Sequence, residues 1–163
     1  MFISCVVVDA SPLICLFKSG LAELFPAMFR DIVVPDAVIR EIVAKGRADF
    51  EAQTLVSYGW IRQIADVAID PRVASWDLGE GESAVLSFAL KDPEHLALID
   101  DREARRCAMS LHCHYIGTLG MIVLAKKRGI ITSVRKSLER LQSAGLWLSE
   151  SLVNETCQKA GEE

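Results

Sequence analysis

The acidic residues offer the clearest chemistry in this sequence. Five of them stand in four separate segments, each beside or within a strongly apolar run: Asp9, Glu41, Glu82, Asp100 and Asp101. If the fold brings them together, their charges repel one another unless a cation lies among them. Mg²⁺ and Mn²⁺ prefer oxygen ligands of this kind. The set therefore predicts a site for Mg²⁺ or Mn²⁺ that is suited to the hydrolysis of phosphodiester bonds.

Each of these acids also has a purely structural interpretation. Asp9 follows six uncharged residues and can be a turn residue, whereas Glu41 can lie on the solvated face of its helix. Glu82 stands in a first helical turn, where the helix dipole favours an acid. Either Asp100 or Asp101 can cap the helix that follows. The functional interpretation therefore depends on the whole set.

Two predicted strands place acids at the same edge of a sheet. The apolar, β-branched run at residues 3–8 predicts a strand buried on both faces, with Asp9 at its carboxyl end. Residues 96–99 predict a second buried strand, which Asp100 and Asp101 follow. Ligands of open α/β sheets bind at the carboxyl ends of the strands. This placement favours a functional role for these acids.

The other elements alternate strands with helices. Ser11 is predicted to cap the first helix, with Pro12 in its first turn and Gly20 at its end. Further strands are predicted at residues 31–35, 60–64 and 115–116. Further helices are predicted at residues 36–46, 48–57, 79–91, 102–111, 117–129 and 133–145 and from 149 onwards. Asp36 and Ser133 are predicted to cap two of these helices, and Ser149 to start the last one. The alternation predicts an α/β fold, a three-layer α/β/α sandwich with a central parallel sheet. We expect one domain over residues 1–163, with a core at about 3–148 and a C-terminal helix and polar tail at 149–163.

Composition limits the class of protein. Hydrophobic residues make up 51% of the 163 residues, which indicates a packed core. No apolar run reaches the roughly 18 residues that a membrane span needs, and the first residues lack a basic segment typical of secretion signals. We therefore expect a cytoplasmic protein without a membrane segment.

The net charge of −4 argues against nucleic-acid binding through bulk positive charge. It is compatible with a nuclease whose acidic site is neutralised by divalent cations. Basic residues do cluster in the C-terminal part, and they form either a solvated helix face or a rim that contacts phosphates: Arg102, Arg105, Arg106, Lys126, Lys127, Arg128, Arg135, Lys136 and Arg140.

The five cysteines are odd in number and include no CxxC pair, so we expect free thiols. The segment from Cys107 to His114 resembles a soft-metal site faintly, because His112 and His114 flank Cys113. Its spacing does not match the usual zinc patterns. We interpret these residues as packing or surface residues.

Five motifs, in this order, resemble those of PIN domains. Residues 6–14 resemble the opening of that family, in which an acid ends the first strand and a small polar residue follows two positions later. Residues 35–42 around Glu41 resemble the segment of the second acid, and residues 78–86 around Glu82 resemble the third-acid helix. Residues 99–106 and 117–120 resemble a PIN subgroup of nucleic-acid-binding proteins. The resemblance spans roughly residues 3–148.

The resemblance implies a metal-dependent endoribonuclease that acts on single-stranded or structured RNA. It further implies a VapC-like toxin that pairs with an antitoxin protein and forms a homodimer. Asp9, Glu41, Glu82 and one of Asp100 and Asp101 would then bind Mg²⁺ or Mn²⁺. Ser11 would orient Asp9 or a water molecule in the site. The third acid is Glu rather than the Asp of the commonest toxin pattern, and Glu80 competes with Glu82 for this role.

Other functions fit the sequence less well. A haloacid-dehalogenase-like phosphatase needs a second Asp two residues after the first, where this chain has Ser11. The P-loop motif GxxxxGK[ST] is absent. The main alternative is a catalytically silent PIN fold that serves as an RNA-binding or protein-interaction module.

Overall fold

The centre of the molecule is a parallel five-stranded sheet, seen in a computed structural model that describes residues 4–45, 55 and 57–163. The strand order is β3-β2-β1-β4-β5. The strands are β1 (Cys5–Val8), β2 (Asp31–Pro35), β3 (Ile61–Ile64), β4 (His95–Leu98) and β5 (Tyr115–Ile116). The residues of β1 and β4 are all buried, and β2 is exposed only at its first residue. Apolar runs without alternation form these central strands because both of their faces are covered.

Helices cover the sheet and complete a three-layer α/β/α sandwich. They are α1 (Ala10–Lys18), α2 (Leu24–Met28), α3 (Asp36–Ala44), α4 (Pro71–Ala74), α5 (Glu80–Lys91), α6 (Arg102–Ser110), α7 (Thr118–Lys127), α8 (Val134–Ser143) and α9 (Glu150–Lys159). Helix α5 packs against three strands, β1, β2 and β4, and also against α3. Helices α7, α8 and α9 pack against one another. The predicted fold class is confirmed.

The predicted strands are confirmed with small differences at their ends. Residues 31–35 and 115–116 form β2 and β5 as expected, whereas β3 begins one residue later than predicted. Strand β4 begins one residue earlier and ends one residue earlier than predicted. In the described part of the first predicted strand, β1 begins at Cys5.

Two predicted helix starts are wrong, the first by two residues and the second by one. Helix α1 begins at Ala10, so Asp9 and not Ser11 is its N-cap residue, and the Leu13 amide donates to the Asp9 carbonyl at 3.3 Å. The strand leads directly into the helix, which leaves Ser11 exposed in the first turn. Asp36 is the first helical residue of α3 rather than its cap. Its carboxylate instead accepts a 2.6 Å hydrogen bond from the Gln63 amide.

Other predicted helix ends agree with the structure. Ser133 and Ser149 cap α8 and α9, because their hydroxyl oxygens accept hydrogen bonds from the amides of Lys136 and Leu152. Gly20 follows the end of α1 with φ +71°, a conformation that glycine adopts without strain. The predicted end at Gly46 and the predicted helix at residues 48–57 lie outside the described residues, apart from positions 55 and 57. The short helices α2 and α4 were not predicted.

The cysteine-rich segment serves packing. Cys107 and Cys113 are buried, and the Cys113 thiol lies 3.8 Å from the His114 carbonyl oxygen. Among the described residues, this segment does not bring three metal-ligating side chains together. All five cysteines are free thiols, as expected. In the part of the chain that the structure describes, every helix is too short or too polar to cross a membrane.

Candidate active site

The site lies where the strand order reverses. From β1 the chain proceeds to β2 and β3 on one side and then returns to β4 on the other side of β1. Such a switch point opens a crevice at the carboxyl ends of the strands. Asp9 directly follows β1, and its amide donates to the Leu98 carbonyl at the end of β4 at 3.1 Å. Asp100 follows β4 after one further buried residue. Two acids therefore reach the same crevice.

Asp9 is the most deeply buried acid of this group, with 3% of its surface exposed. The pKa of Asp9 is raised to about 7, chiefly by burial and in addition by the charges of Glu82, Glu41 and Asp100, against the lowering effect of one backbone hydrogen bond from Ala10. These three acids therefore lie close enough to act on Asp9. Its Oδ1 atom is buried and has no hydrogen-bond partner among the described residues. Such an atom is costly to bury unless a partner is bound there.

Helix α3 brings Glu41 to the site through a close contact with α5. The Glu41 Oε1 atom accepts a 2.8 Å hydrogen bond from the Gly81 amide. A Cβ atom at position 81 would lie 2.8 Å from Oε2 of the same carboxylate. Only glycine leaves the room for this approach. The structure thus places Glu41 against the N-terminal turn of α5 rather than on a solvated helix face.

Glu82 combines the structural and the functional interpretation. Its Oε2 atom accepts a hydrogen bond from the Gly79 amide at 3.1 Å, which caps the start of α5. Partial burial raises the pKa of Glu82, and the charges of Asp101 and Glu41 add to this effect. Glu80, the competing acid, is exposed and lines a separate cavity of about 440 Å³ between α3, α4 and α5. The charge that acts on Asp9 comes from Glu82.

The two adjacent aspartates divide the remaining roles. Asp100 accepts hydrogen bonds from Thr118, at 2.8 Å from the amide and 2.6 Å from the hydroxyl group. Asp101 is exposed and caps α6, because its Oδ2 atom accepts from the Ala104 amide at 2.9 Å. Asp100 therefore belongs to the group around Asp9. Asp101 lies near enough to raise the pKa of Glu82, but its carboxylate is engaged with the helix.

Ser11 stands at the rim of the site. It is exposed, and it lines a small cavity of about 190 Å³ together with Lys18 and Lys45. The charge of Lys45 lowers the pKa of Glu82, so this lysine lies near the acids as well. The predicted role of Ser11 in orienting Asp9 stays a prediction.

Two residues of the site were not assigned from the sequence. Thr118 is 2% exposed and holds both oxygens of Asp100. Arg105 donates from Nε to the Ile99 carbonyl at 3.2 Å and reaches within 3.5 Å of Asp100. A Cβ atom at Gly117 would lie 1.8 Å from the Arg105 guanidinium, so a side chain there would displace it. The sequence signal for Thr118 was its place after the glycine that opens a helix; Arg105 was predicted only as one member of a basic rim.

The chemistry of this group fits a hard divalent cation. The carboxylates of Glu41, Glu82 and Asp100 lie near enough to raise the pKa of Asp9, which offers an oxygen that has no partner among the described residues. No three of these acids place ligand atoms within 4.8 Å of one another in the described structure, so a bound cation would draw them closer together. Their mutual repulsion favours a bound positive charge. Thr118 and the amides of Gly79 and Gly81 hold three of the carboxylates in place.

A comparison with known protein families identifies a match. A family model described as a PIN domain matches residues 5–162. Among curated proteins and solved structures, none matches the chain. The matched range includes all the acids described above and nearly the whole sheet with its helices.

Proposed function

This chain belongs to the PIN-domain family, and we propose that it is a metal-dependent endoribonuclease. PIN domains are generally nucleases that use divalent metals, so the fold is of a nuclease type. The observation that carries the proposal is the environment of Asp9. One oxygen of this buried carboxylate has no hydrogen-bond partner in the described part of the chain, and three further acids lie near enough to raise its pKa at the switch point of the sheet. Such a group is costly to a folded protein unless it binds a cation.

Asp9, Glu41, Glu82 and Asp100 would hold Mg²⁺ or Mn²⁺. When bound, such a cation activates water and stabilises the negative charge that develops during phosphodiester hydrolysis. The residues around the acids fix the geometry. Thr118 orients both oxygens of Asp100, and the Gly81 amide orients Glu41.

Arg105 supplies the positive charge for the substrate. Its guanidinium is held by the Ile99 carbonyl at the edge of the acidic group, and 40% of its side chain remains exposed. Guanidinium groups bind phosphate oxygens through two parallel hydrogen bonds. We assign to Arg105 the contact with a phosphate of the RNA next to the bond that is cleaved.

The test is cleavage of a labelled single-stranded RNA by the purified protein. We expect cleavage with Mg²⁺ or Mn²⁺, loss of cleavage in EDTA, and loss of cleavage in Asp9→Asn with metal present. A DNA strand of the same sequence serves to measure the preference for RNA. Cleavage that is undiminished by EDTA would contradict the metal mechanism.

A specific observation also supports the alternative, a catalytically silent RNA-binding or protein-interaction module. Three of the four carboxylates already accept hydrogen bonds from Gly79, Gly81 and Thr118 and could serve the scaffold alone. Calorimetric titration of the protein with Mn²⁺ separates the two functions. If the protein is an enzyme, its rate of RNA cleavage should rise with the fraction of protein that has bound Mn²⁺. A silent module should bind RNA without needing the metal.

The same proposal includes the role of a VapC-like toxin in the cytoplasm. Its partners would be an antitoxin protein and a second copy of this chain. Trp147 is 83% exposed, and Leu152, five positions later, is also exposed. Exposed apolar side chains of this size suit a protein interface. Light scattering tests the dimer, and co-expression with the product of an adjacent short reading frame tests whether growth inhibition is relieved.

A further inference from the structure

A second cluster of ligand-type side chains lies at the opposite edge of the sheet. Cys5 starts β1, and its register partners on the two neighbouring strands are Asp31 and His95. One potential ligand atom from each of these residues lies within 4.8 Å of the others. Asp9 lies four positions after Cys5 along an extended strand, a distance of about 13 Å. This cluster is therefore separate from the carboxylate site.

Burial and hydrogen bonding give the cluster a defined geometry. Cys5 and His95 are 4% and 5% exposed, and the ring Nε2 atom of His95 lies 2.7 Å from Asp31 Oδ2. The other ring nitrogen, Nδ1, lies 3.3 Å from Asp92 Oδ2 but forms no hydrogen bond in the described structure. The edge of the His95 ring also packs against Phe88. In metal sites, a carboxylate at the far ring nitrogen commonly fixes the orientation of the ligand histidine.

We propose that Cys5, Asp31 and His95 bind Zn²⁺, with Asp92 as the acceptor for the far nitrogen of His95. A thiolate, a carboxylate and an imidazole together suit zinc and do not suit Mg²⁺. Ligand atoms in a tetrahedral zinc site stand roughly 3.3–3.6 Å apart, given zinc–ligand distances of about 2.0–2.3 Å. The present separations of 2.7 Å and up to 4.8 Å reach those values through small side-chain movements. Water completes the coordination.

The charges around the cluster also favour a cation. Arg62 donates to both oxygens of Asp31, at 3.0 and 2.8 Å, and this contact lowers the pKa of Asp31 to about 2. Asp31 is therefore ionised at neutral pH. The exposed Arg30 contacts the Cys5 sulfur, which raises the pKa of Arg30. Once Cys5 is deprotonated, Cys5, Asp31 and Asp92 carry three negative charges against two guanidinium groups, both of which are exposed enough to turn towards solvent.

Zinc binding displaces protons in a balanced way. The Cys5 thiol forms a sulfur–zinc bond and releases its proton to solvent. In the metal-free structure His95 Nε2 donates to Asp31 Oδ2, so this proton passes to solvent before the Nε2 lone pair binds the metal. Nδ1 takes up a proton from solvent, and the neutral ring then donates a hydrogen bond from Nδ1 to Asp92. Without metal, Arg62 forms an ion pair with Asp31, and His95 forms a hydrogen bond with the same carboxylate, so these residues only connect strands.

Cobalt titration of the reduced, metal-free full chain tests the proposal, with Mg²⁺ in excess to occupy the carboxylate site. Co²⁺ should produce a thiolate-to-cobalt charge-transfer band in the near ultraviolet, and Zn²⁺ should abolish it. Cys5→Ser and His95→Gln should lose the band. Asp9→Asn should keep it, which makes the result independent of the proposed nuclease site.

Cys15→Ser is the matched control for the thiol. Cys15 lies on α1, and burial together with the charge of Asp100 raises the pKa of its thiol. A band that is lost in Cys15→Ser or Asp9→Asn and kept in Cys5→Ser would assign the metal to the other edge of the sheet and overturn the proposal. Absence of the band in the wild-type protein would also overturn the proposal. The role of the cluster would then be to connect strands through the metal-free contacts of His95, Asp31 and Arg62.

A variant of a surface residue keeps the proposal testable if the variants of the buried residues Cys5 and His95 misfold. Asp92 is 43% exposed, so Asp92→Asn should fold normally. It should weaken Zn²⁺ binding by roughly 10–100-fold, the usual effect of removing such a supporting carboxylate. Glu94→Gln, in the same loop, should bind Zn²⁺ as the wild type does. Equal affinities of Asp92→Asn and Glu94→Gln would contradict the proposed role of Asp92 and, with it, the geometry of the site.

Discussion

At the scale of single residues, the neighbouring acids Glu80 and Glu82 separate helix capping from site chemistry. Both stand in the first turn of α5, but only Glu82 contacts the group around Asp9. Glu82→Gln should reduce RNA cleavage at least 10-fold, whereas Glu80→Gln should leave cleavage within about 2-fold of the wild type. The measurement is the rate of single-stranded RNA cleavage at saturating Mn²⁺. A larger loss in Glu80→Gln would assign the third acid to position 80.

The arginines of α6 allow a second matched comparison. The Arg105 guanidinium is anchored beside Asp100, while Arg106 is 62% exposed and paired with Glu103 at 3.1 Å. Arg105→Gln should weaken RNA binding and reduce cleavage. The slope of the logarithm of the binding constant against the logarithm of the salt concentration should become shallower by about 1. Arg106→Gln should change these quantities little, since exposed ion pairs contribute little. Equal effects of the two changes would make both residues part of a general basic surface.

At the scale of elements, the contact between α3 and α5 depends on one glycine. In Gly81→Ala, the new Cβ atom would lie 2.8 Å from the Glu41 carboxylate, which is the flexible end of its side chain and can move. We therefore expect stability within about 1 kcal/mol of the wild type, because alanine is the better helix former. Cleavage and Mn²⁺ affinity should fall by roughly 10-fold or more, because Glu41 leaves its place.

The control for this change is Gly59→Ala. A Cβ atom at Gly59 meets no atom of the described residues within 4 Å, so cleavage and Mn²⁺ affinity should both stay unchanged. Thermal melts and Mn²⁺ titrations of the two variants check the prediction. If Gly81→Ala unfolds the protein or leaves Mn²⁺ binding intact, Glu41 is not held as described.

Local sequence patterns predicted the strands and several helix caps well, because neighbouring residues determine these features. The β-branched runs of β1 and β2 are buried on both faces and carry no polar alternation. Ser133 and Ser149 cap their helices through their own hydroxyl groups. The Ser11 cap was wrong because β1 passes into α1 without an intervening turn, a feature that residue types do not encode.

The arrangement of the acids was only partly predictable for a related reason. Two acids at strand ends follow from the parallel sheet, so Asp9 and Asp100 could be placed together in advance. The approach of Glu41 to Gly81 joins residues forty positions apart in sequence. The same holds for Thr118 and Asp100, which are eighteen positions apart. Such pairs depend on how the helices pack against one another, and this packing cannot be predicted from a single sequence. The cap at Asp101 and the approach of Arg105 to Gly117 likewise emerged only from the structure.

At the scale of the whole molecule, one strand connects two edges of different chemistry. The carboxyl end of β1 leads to oxygen ligands, and its amino end begins with a thiol between a carboxylate and an imidazole. Because hard and soft cations prefer different ligands, the two edges would select different metals from a mixture. The carboxylate edge concentrates negative charge in a chain whose net charge is already −4. This accumulation of negative charge affects the free energy of unfolding of the entire protein.

Without metal, Asp9 should make the folded protein less stable as the pH rises. The pKa of Asp9 is about 7 in the folded protein, against an ordinary value of 3.8 for an aspartate. A carboxyl group whose pKa is raised by folding stabilises the folded state below the unfolded pKa, and this contribution is lost as the pH rises through the folded pKa. The metal-free protein should therefore lose up to about 1.4 kcal/mol of unfolding free energy for each pH unit between about 4 and 7.

Asp9→Asn removes this dependence and tests it. The side chain of Asp9 makes no capping hydrogen bond to α1, so the change should cost no helix cap. In EDTA, the advantage in unfolding free energy of the variant over the wild type should grow from pH 4 to pH 7. Added Mn²⁺ should raise the melting temperature of the wild type more than that of the variant, because a ligand stabilises the state that binds it. Urea unfolding at several pH values, with and without Mn²⁺, gives both quantities. A variant that is less stable than the wild type by the same amount at every pH, with an unchanged response to Mn²⁺, would mean that Asp9 serves the scaffold and not the metal site.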